Sequence, residues 1–171
     1  MSKLGPLMIR IRKATRNDAQ VTWDIRKYAV LAQCSQVYQA EQIETWTSGQ
    51  ASAKWADIME GCFYVAVDGH TVVATGMLTI ETGSVDAIFV LPSYMGQGIG
   101  AQMMQFIERL ALESGVRLLT LDATLNAAAF YRRCGWSGDV VSTYHSPRGI
   151  SMACIPMTKH LVSELSPDGV I

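Results

Sequence analysis

Residues 85–100 read Val85-Asp86-Ala87-Ile88-Phe89-Val90-Leu91-Pro92-Ser93-Tyr94-Met95-Gly96-Gln97-Gly98-Ile99-Gly100, a hydrophobic strand that runs through a short loop into three glycines opening an amphipathic helix. That order suits the binding of a phosphate. Gly96, Gly98 and Gly100 carry no Cβ to hold a ligand away from the backbone, and the N–H groups of a helix's first turn have no internal partner. The helix dipole favours an anion at the same place.

Two familiar phosphate loops compete for these glycines. Gly96-Gln97-Gly98-Ile99-Gly100-Ala101 fits the dinucleotide fingerprint in its Ala-ended form, with Asp122 at a suitable distance downstream. That fingerprint follows its strand directly, however, and is followed by several more βα units. Here Pro92, Ser93 and Tyr94 intervene, and too little chain remains to build the walls of a dinucleotide site. A P-loop is excluded because neither Gly-Lys-Ser nor Gly-Lys-Thr follows.

A second motif lies downstream. After a strand at Leu118 to Leu121 comes Thr124-Leu125-Asn126-Ala127-Ala128-Ala129-Phe130-Tyr131-Arg132-Arg133-Cys134-Gly135-Trp136. A strand ending in Val-x-Pro, a Gly-x-Gly-x-Gly turn into a helix, another strand, and Asn-Ala-x-x-Phe-Tyr-x-x-x-Gly-aromatic together resemble the GNAT superfamily of acyl-CoA-dependent N-acetyltransferases. The resemblance covers about residues 8 to 160. The ending Tyr144-His145-Ser146-Pro147-Arg148-Gly149-Ile150, followed by Cys154 to Lys159, is similar to a bacterial branch of mostly uncharacterised members.

Composition agrees with one catalytic domain. At 171 residues, 49% hydrophobic and 17% charged, the chain can bury a full core. We expect a single acyl-CoA N-acyltransferase domain over residues 1–171, with its core at about 8–160 and a frayed tail at 163–171. The net charge of -1 gives no basic surface for nucleic acid. Cys34, Cys62, Cys134 and Cys154 are scattered and read as buried reduced thiols. No signal peptide or long apolar run is apparent, so a soluble cytoplasmic protein without a membrane partner is expected.

Local patterns supply the elements. Met8 to Lys13 alternates like a strand, Thr15-Arg16-Asn17-Asp18 offers caps for a helix to Gln33, and 41–60 reads as helix broken at Ser48-Gly49. Phe63 to Val67 and Thr71 to Ile80 read as strands joined by Asp68-Gly69. Helix 99–114 presents Ile99, Met103, Phe106, Leu110 and Ala111 on one face, and Gly115 stands where a C-terminal cap belongs. The reading is βαα followed by ββαβαββ. It predicts an α+β fold with a mixed, mostly antiparallel sheet flanked by helices, in which the Val85 and Leu118 strands run parallel and splay at the coenzyme site.

The resemblance implies acetyl-CoA as cosubstrate, no metal, and a primary amine of a small molecule or peptide as acceptor. It is compatible with a homodimer. It places Ile88, Phe89 and Val90 along the pantetheine arm and the N–H groups from Met95 through Gly96, Gln97, Gly98, Ile99, Gly100 and Ala101 on the pyrophosphate. Met95 stands where the family usually has Arg or Gln, which removes one polar contact. Thr124 and Asn126 are candidates to hold pantetheine amides, Phe130 to border them, and Arg132 or Arg133 to reach phosphates. Tyr131 matches the tyrosine that protonates the departing thiolate; the alternative is a buried aromatic pair with Phe130.

For the base, Asp86 shares strand parity with Ile88 and Val90, and Glu81 lies just upstream; a structural aspartate or a water chain are the alternatives. His145 and Arg148 read as residues of the loop between the last two strands, which in the family often borders the acceptor pocket. Trp23, Trp46 and Trp55 read as core or acceptor wall. A non-catalytic acyl-CoA-binding sensor is the competing function.

Overall fold

Alternation in the first strand and the caps after it give β1 (Ile9–Lys13) and a 3-10 turn (Arg16–Asp18) that feeds α1 (Ala19–Gln33). The computed structural model describes residues 7–163. All of the tail expected at 163–171 except Ser163 therefore lies outside the described residues. The entry to α1 is fixed by Asp18, which accepts both Arg12 guanidinium nitrogens at 2.8 and 3.0 Å and the Thr15 N–H at 2.8 Å. Two shorter helices follow, α2 (Ala40–Thr47) and α3 (Ala53–Cys62), the latter capped by Ser52. Between them Gly49 sits at φ +84°, a conformation that breaks the helix as expected.

Strands β2 (Phe63–Asp68) and β3 (Thr71–Thr79) form the hairpin. Asp68 pairs with Thr71, so the central turn residues are Gly69 and His70 rather than Asp68 and Gly69. Next come β4 (Ser84–Val90), a 3-10 turn (Pro92–Tyr94), α4 (Ile99–Glu113), β5 (Leu118–Thr124), α5 (Ala128–Arg133), β6 (Ser142–His145) and β7 (Ser151–His160). The expected order was thus one strand and one helix short, because three strands precede α4 and the 41–60 helix is two. His145 closes β6 opposite Ser151 and does not lie in the loop.

One seven-stranded sheet results, in the order β1-β2-β3-β4-β5-β7-β6. All neighbours are antiparallel except β4 and β5, which are parallel and pair only at Ser84 and Thr120. On one face α4 buries Ile99, Met103, Met104, Ile107 and Ala111, while Phe106 and Leu110, expected in that stripe, flank it half-buried. A Cβ at Gly76 would lie 2.8 Å from Met103, so this glycine lets α4 seat on β3. On the other face, separate clusters pack around Met59 of α3 and Val30 of α1. Lys159 of β7 ties α4 to α5 by donating to both Glu108 carboxylate oxygens at 2.9 Å and to the Cys134 carbonyl at 2.6 Å.

Candidate active site

Strand β4 carries a bulge. Thr75 pairs with Phe89 and Met77 with Asp86, so Ala87 and Ile88 both stand opposite Gly76. Ala87 adopts φ +52°, uncommon for a residue with a Cβ, and its carbonyl accepts the buried Thr75 hydroxyl at 2.6 Å. The extra residue overturns the parity argument. Asp86 shares a face with Phe89, while Ile88 and Val90 share the face of Val85 and pack toward α4. Asp86 still borders a cavity, one that Phe89 on the same face also lines.

Past Ser84 and Thr120 the two parallel strands separate, and the open edge of β4 faces the gap. The Leu91 N–H donates to Val73 at 2.8 Å, so alternation along the strand turns the Val90 N–H toward the open side. Two cavities meet here. A groove of about 630 Å³ runs from the glycine turn and is lined by Ile88, Val90, Met95, Gly96, Gly98, Ile99, Gly100, Ala101, Asn126, Phe130, Tyr131 and Arg133. A second cavity of about 410 Å³ is lined by Asp86, Phe89 and Thr124, by Trp23, Trp46 and Trp55, and by Tyr144 and Arg148. Gln33, Ile88, Asn126, Ala127 and Tyr131 line both.

At the head of the groove, the N–H groups from Gly96 to Ala101 find no acceptor among the described residues; the ladder begins with Gln102 donating to Gly98 at 3.0 Å. Gly96 and Gly98 sit at φ +75° and +80° with open space where a Cβ would stand. Gly100 serves packing instead, since its Cβ would meet the Phe130 ring at 3.2 Å. Gln97 lies outside the groove lining, its amide 3.3 Å from the Ser93 carbonyl. The Met95 sulfur accepts the Gln33 amide at 3.2 Å.

The titratable groups of the gap are perturbed. Partial burial holds the Asp86 carboxyl above the ordinary aspartate value; Ser84, donating at 3.1 Å, opposes this, and the charge of Asp122 adds to it. The Asp86 side chain is exposed where it borders the cavity. Tyr131 is buried against Phe130 and Trp136. Burial first, and then Cys134 and Asp86, push its phenol well above the usual value, so it is a weaker acid than its residue type suggests but remains protonated at neutral pH. Asn126 accepts the Cys34 thiol at 3.5 Å, and burial pushes that thiol up to about 11. Cys34 and Cys154 are buried as expected, but Cys62 and Cys134 are only half-buried.

Some candidates fall away. Arg132 donates to Gly138 at 2.9 Å and lines neither cavity, leaving Arg133 at the groove. Glu81 is exposed in the β3–β4 turn, and His145 bonds Ser151 at 2.9 Å outside both cavities. Three residues were missed. Tyr38 joins β5 to β7 by accepting the Leu125 N–H at 3.0 Å and donating to Ala153 at 2.7 Å. Tyr144 reaches the cavity from β6. Arg26 is buried on α1, and its place on the stripe Thr22, Trp23, Ala29, Val30 was a legible signal.

Residues 59–137, from the end of α3 through Ser137, match the family model described as acetyltransferase (GNAT) domain. The chain has the GNAT acetyltransferase fold. The GNAT fold is also that of a GCN5-related N-acetyltransferase structure from Rhodopseudomonas palustris, 27% identical with a TM-score of 0.79 over 94% of this chain and 99% of that one. PaiA N-acetyltransferase from Thermoplasma acidophilum, solved with coenzyme A, shares the fold at 16% identity and a TM-score of 0.68, covering 91% of this chain and 100% of that one. YncA, a putative acetyltransferase from Salmonella typhimurium solved with acetyl-CoA, does so at 17% identity and a TM-score of 0.66, covering 95% and 99%. No curated protein matches the sequence.

Proposed function

We propose that the chain is a single acyl-CoA-dependent N-acyltransferase domain that moves an acetyl group from acetyl-CoA to a primary amine of a small molecule or peptide. The observation that carries this reading is the gap between β4 and β5, where a groove headed by unsatisfied N–H groups opens onto a second cavity at Tyr131. Acetyl-CoA supplies an activated thioester when bound. The free donors from Gly96 to Ala101 fit its pyrophosphate, with Arg133 beside the groove. The open edge of β4 at Phe89 and Val90 offers backbone pairing to the pantetheine arm, as an added strand would. Thr124 and Asn126 flank the same path.

In this scheme Asp86, whose carboxyl is held above the ordinary aspartate value, takes the proton that the acceptor's ammonium must lose, directly or through water in the cavity. Tyr131, kept protonated by burial, gives a proton to the departing thiolate. A thiol-release assay with acetyl-CoA and a panel of amines, amino acids and peptides tests the scheme, preceded by a thermal-shift comparison. Acetyl-CoA should raise the melting temperature, because binding to the native state alone stabilises it. A rise with NAD and none with acetyl-CoA would refute it.

A further inference from the structure

Arg26 is only 8% exposed, yet it lines the second cavity. One guanidinium nitrogen donates to the Trp46 carbonyl, while Nη1 has no partner. The guanidinium lies 4.5 Å from the Trp23 ring centre, so one of its faces is covered by indole. No carboxylate of the described residues forms an ion pair with it. A second cation stands close by: Arg148 is 5.4 Å from the same ring and is anchored on the carbonyl and hydroxyl of Ser48 at 2.9 and 3.0 Å.

A buried charge without a counter-charge destabilises a fold, and a second like charge beside it adds to the cost. Burial and, secondarily, Arg148 pull the Arg26 value down to about 10, which leaves it charged at neutral pH. Such an arrangement persists where an anion completes it. The same cavity also holds the opposite sign, because Asp86 and Asp122 line it from the two splayed strands. Tyr144 of β6 lines the same cavity.

We propose that this cavity selects an amine that also carries a carboxylate, with the carboxylate held by Arg26 beside Arg148 and the amine directed to Asp86 and Asp122. The inference rests on reading the cavity as the acceptor's. A carboxylate suits the site better than a phosphate, since Asp86 and Asp122 line the same cavity and repel a dianion more than a monoanion.

The test pairs acids with their neutral counterparts. Binding of 3-phenylpropionate and of 3-phenylpropanamide is measured by calorimetry with coenzyme A present, and inorganic phosphate is the control for a bare anion site. Transfer is measured for phenylalanine against phenylalaninamide and for 6-aminohexanoate against hexylamine. The acid of each pair should be favoured by about tenfold or more, in affinity and in kcat/KM. Arg26→Met should remove that preference while leaving coenzyme A affinity unchanged, and Arg26→Lys should restore part of it. Acids bound no better than amides, phosphate bound as tightly as the acid, or equal losses for acid and amide in Arg26→Met would each overturn the proposal. If Arg26→Met fails to fold, the acid and amide comparison on the parent still decides. Acid binding with no transfer to any acceptor would keep this proposal and refute the transferase reading; transfer to amides as fast as to acids would do the reverse.

Discussion

Tyr131→Phe removes one oxygen and nothing else. The ring stays 5.1 Å from Phe130 and 6.1 Å from Trp136, so its packing is kept. The hydroxyl has no hydrogen-bond partner among the described residues; only burial and nearby charges act on it. A buried hydrogen bond lost to such a change costs about 1 kcal/mol. None is lost here, so stability should shift by less than about 0.5 kcal/mol. Turnover should fall by about 10²-fold or more, the scale of one general acid, which corresponds to about 2.7 kcal/mol of barrier. Because the phenol is raised above its ordinary value of about 10, the parent should show no alkaline loss of kcat from Tyr131 below that pH. The assays are urea unfolding, coenzyme A calorimetry, and steady-state kinetics on an amine identified by thiol release. Retained kcat with a stability loss above about 1 kcal/mol would make Tyr131 a structural residue and refute the proton-donor role.

Three further perturbations probe the other parts. Gly98→Val places a branched side chain at φ +80°, where its Cβ meets open space; the fold should survive by circular dichroism while coenzyme A affinity falls about tenfold or more, roughly 1.4 kcal/mol. Met95→Arg should tighten coenzyme A in the same titration, and unchanged affinity in both variants would remove the glycine turn from the site. If Asp86 is the base, kcat should fall on acidification through a value above that of an ordinary aspartate, because burial raises it, and Asp86→Asn should abolish that acidic limb. For Asp18 the sign is opposite. Arg12 and the Thr15 N–H depress its folded value, so its contribution is present above the ordinary aspartate value and lost as pH falls toward the folded one. Asp18→Asn should therefore cost about 2 kcal/mol near neutral pH, and its urea midpoint should converge with the parent's in acid.

Local chemistry wrote much of this molecule plainly. The glycine turn, the helix that follows it and the Asn126 to Trp136 motif are each decided by nearest neighbours: positive φ at Gly96 and Gly98, an apolar stripe at helical spacing, and a C-terminal glycine cap at Gly115. Together with the order of strands and helices, those features gave the α+β class and the parallel pair. The bulge in β4 was not legible, because Val85 to Val90 is a continuous apolar run whose extra residue is defined only against β3. It depends on the Thr75 hydroxyl holding the Ala87 carbonyl from the neighbouring strand. The split between Arg132 and Arg133 was hidden for a similar reason, since two adjacent helix positions face different ways and only the distant Gly138 carbonyl claims one of them. Arg26 shows the boundary most clearly. Its helical spacing marks it as buried, but its missing counter-charge becomes visible only once α1, α2 and the β6–β7 loop have closed around Trp23. Secondary structure and turn chemistry follow from short-range sterics and periodicity, whereas the charge pattern of the cavity follows from which distant segments share a wall.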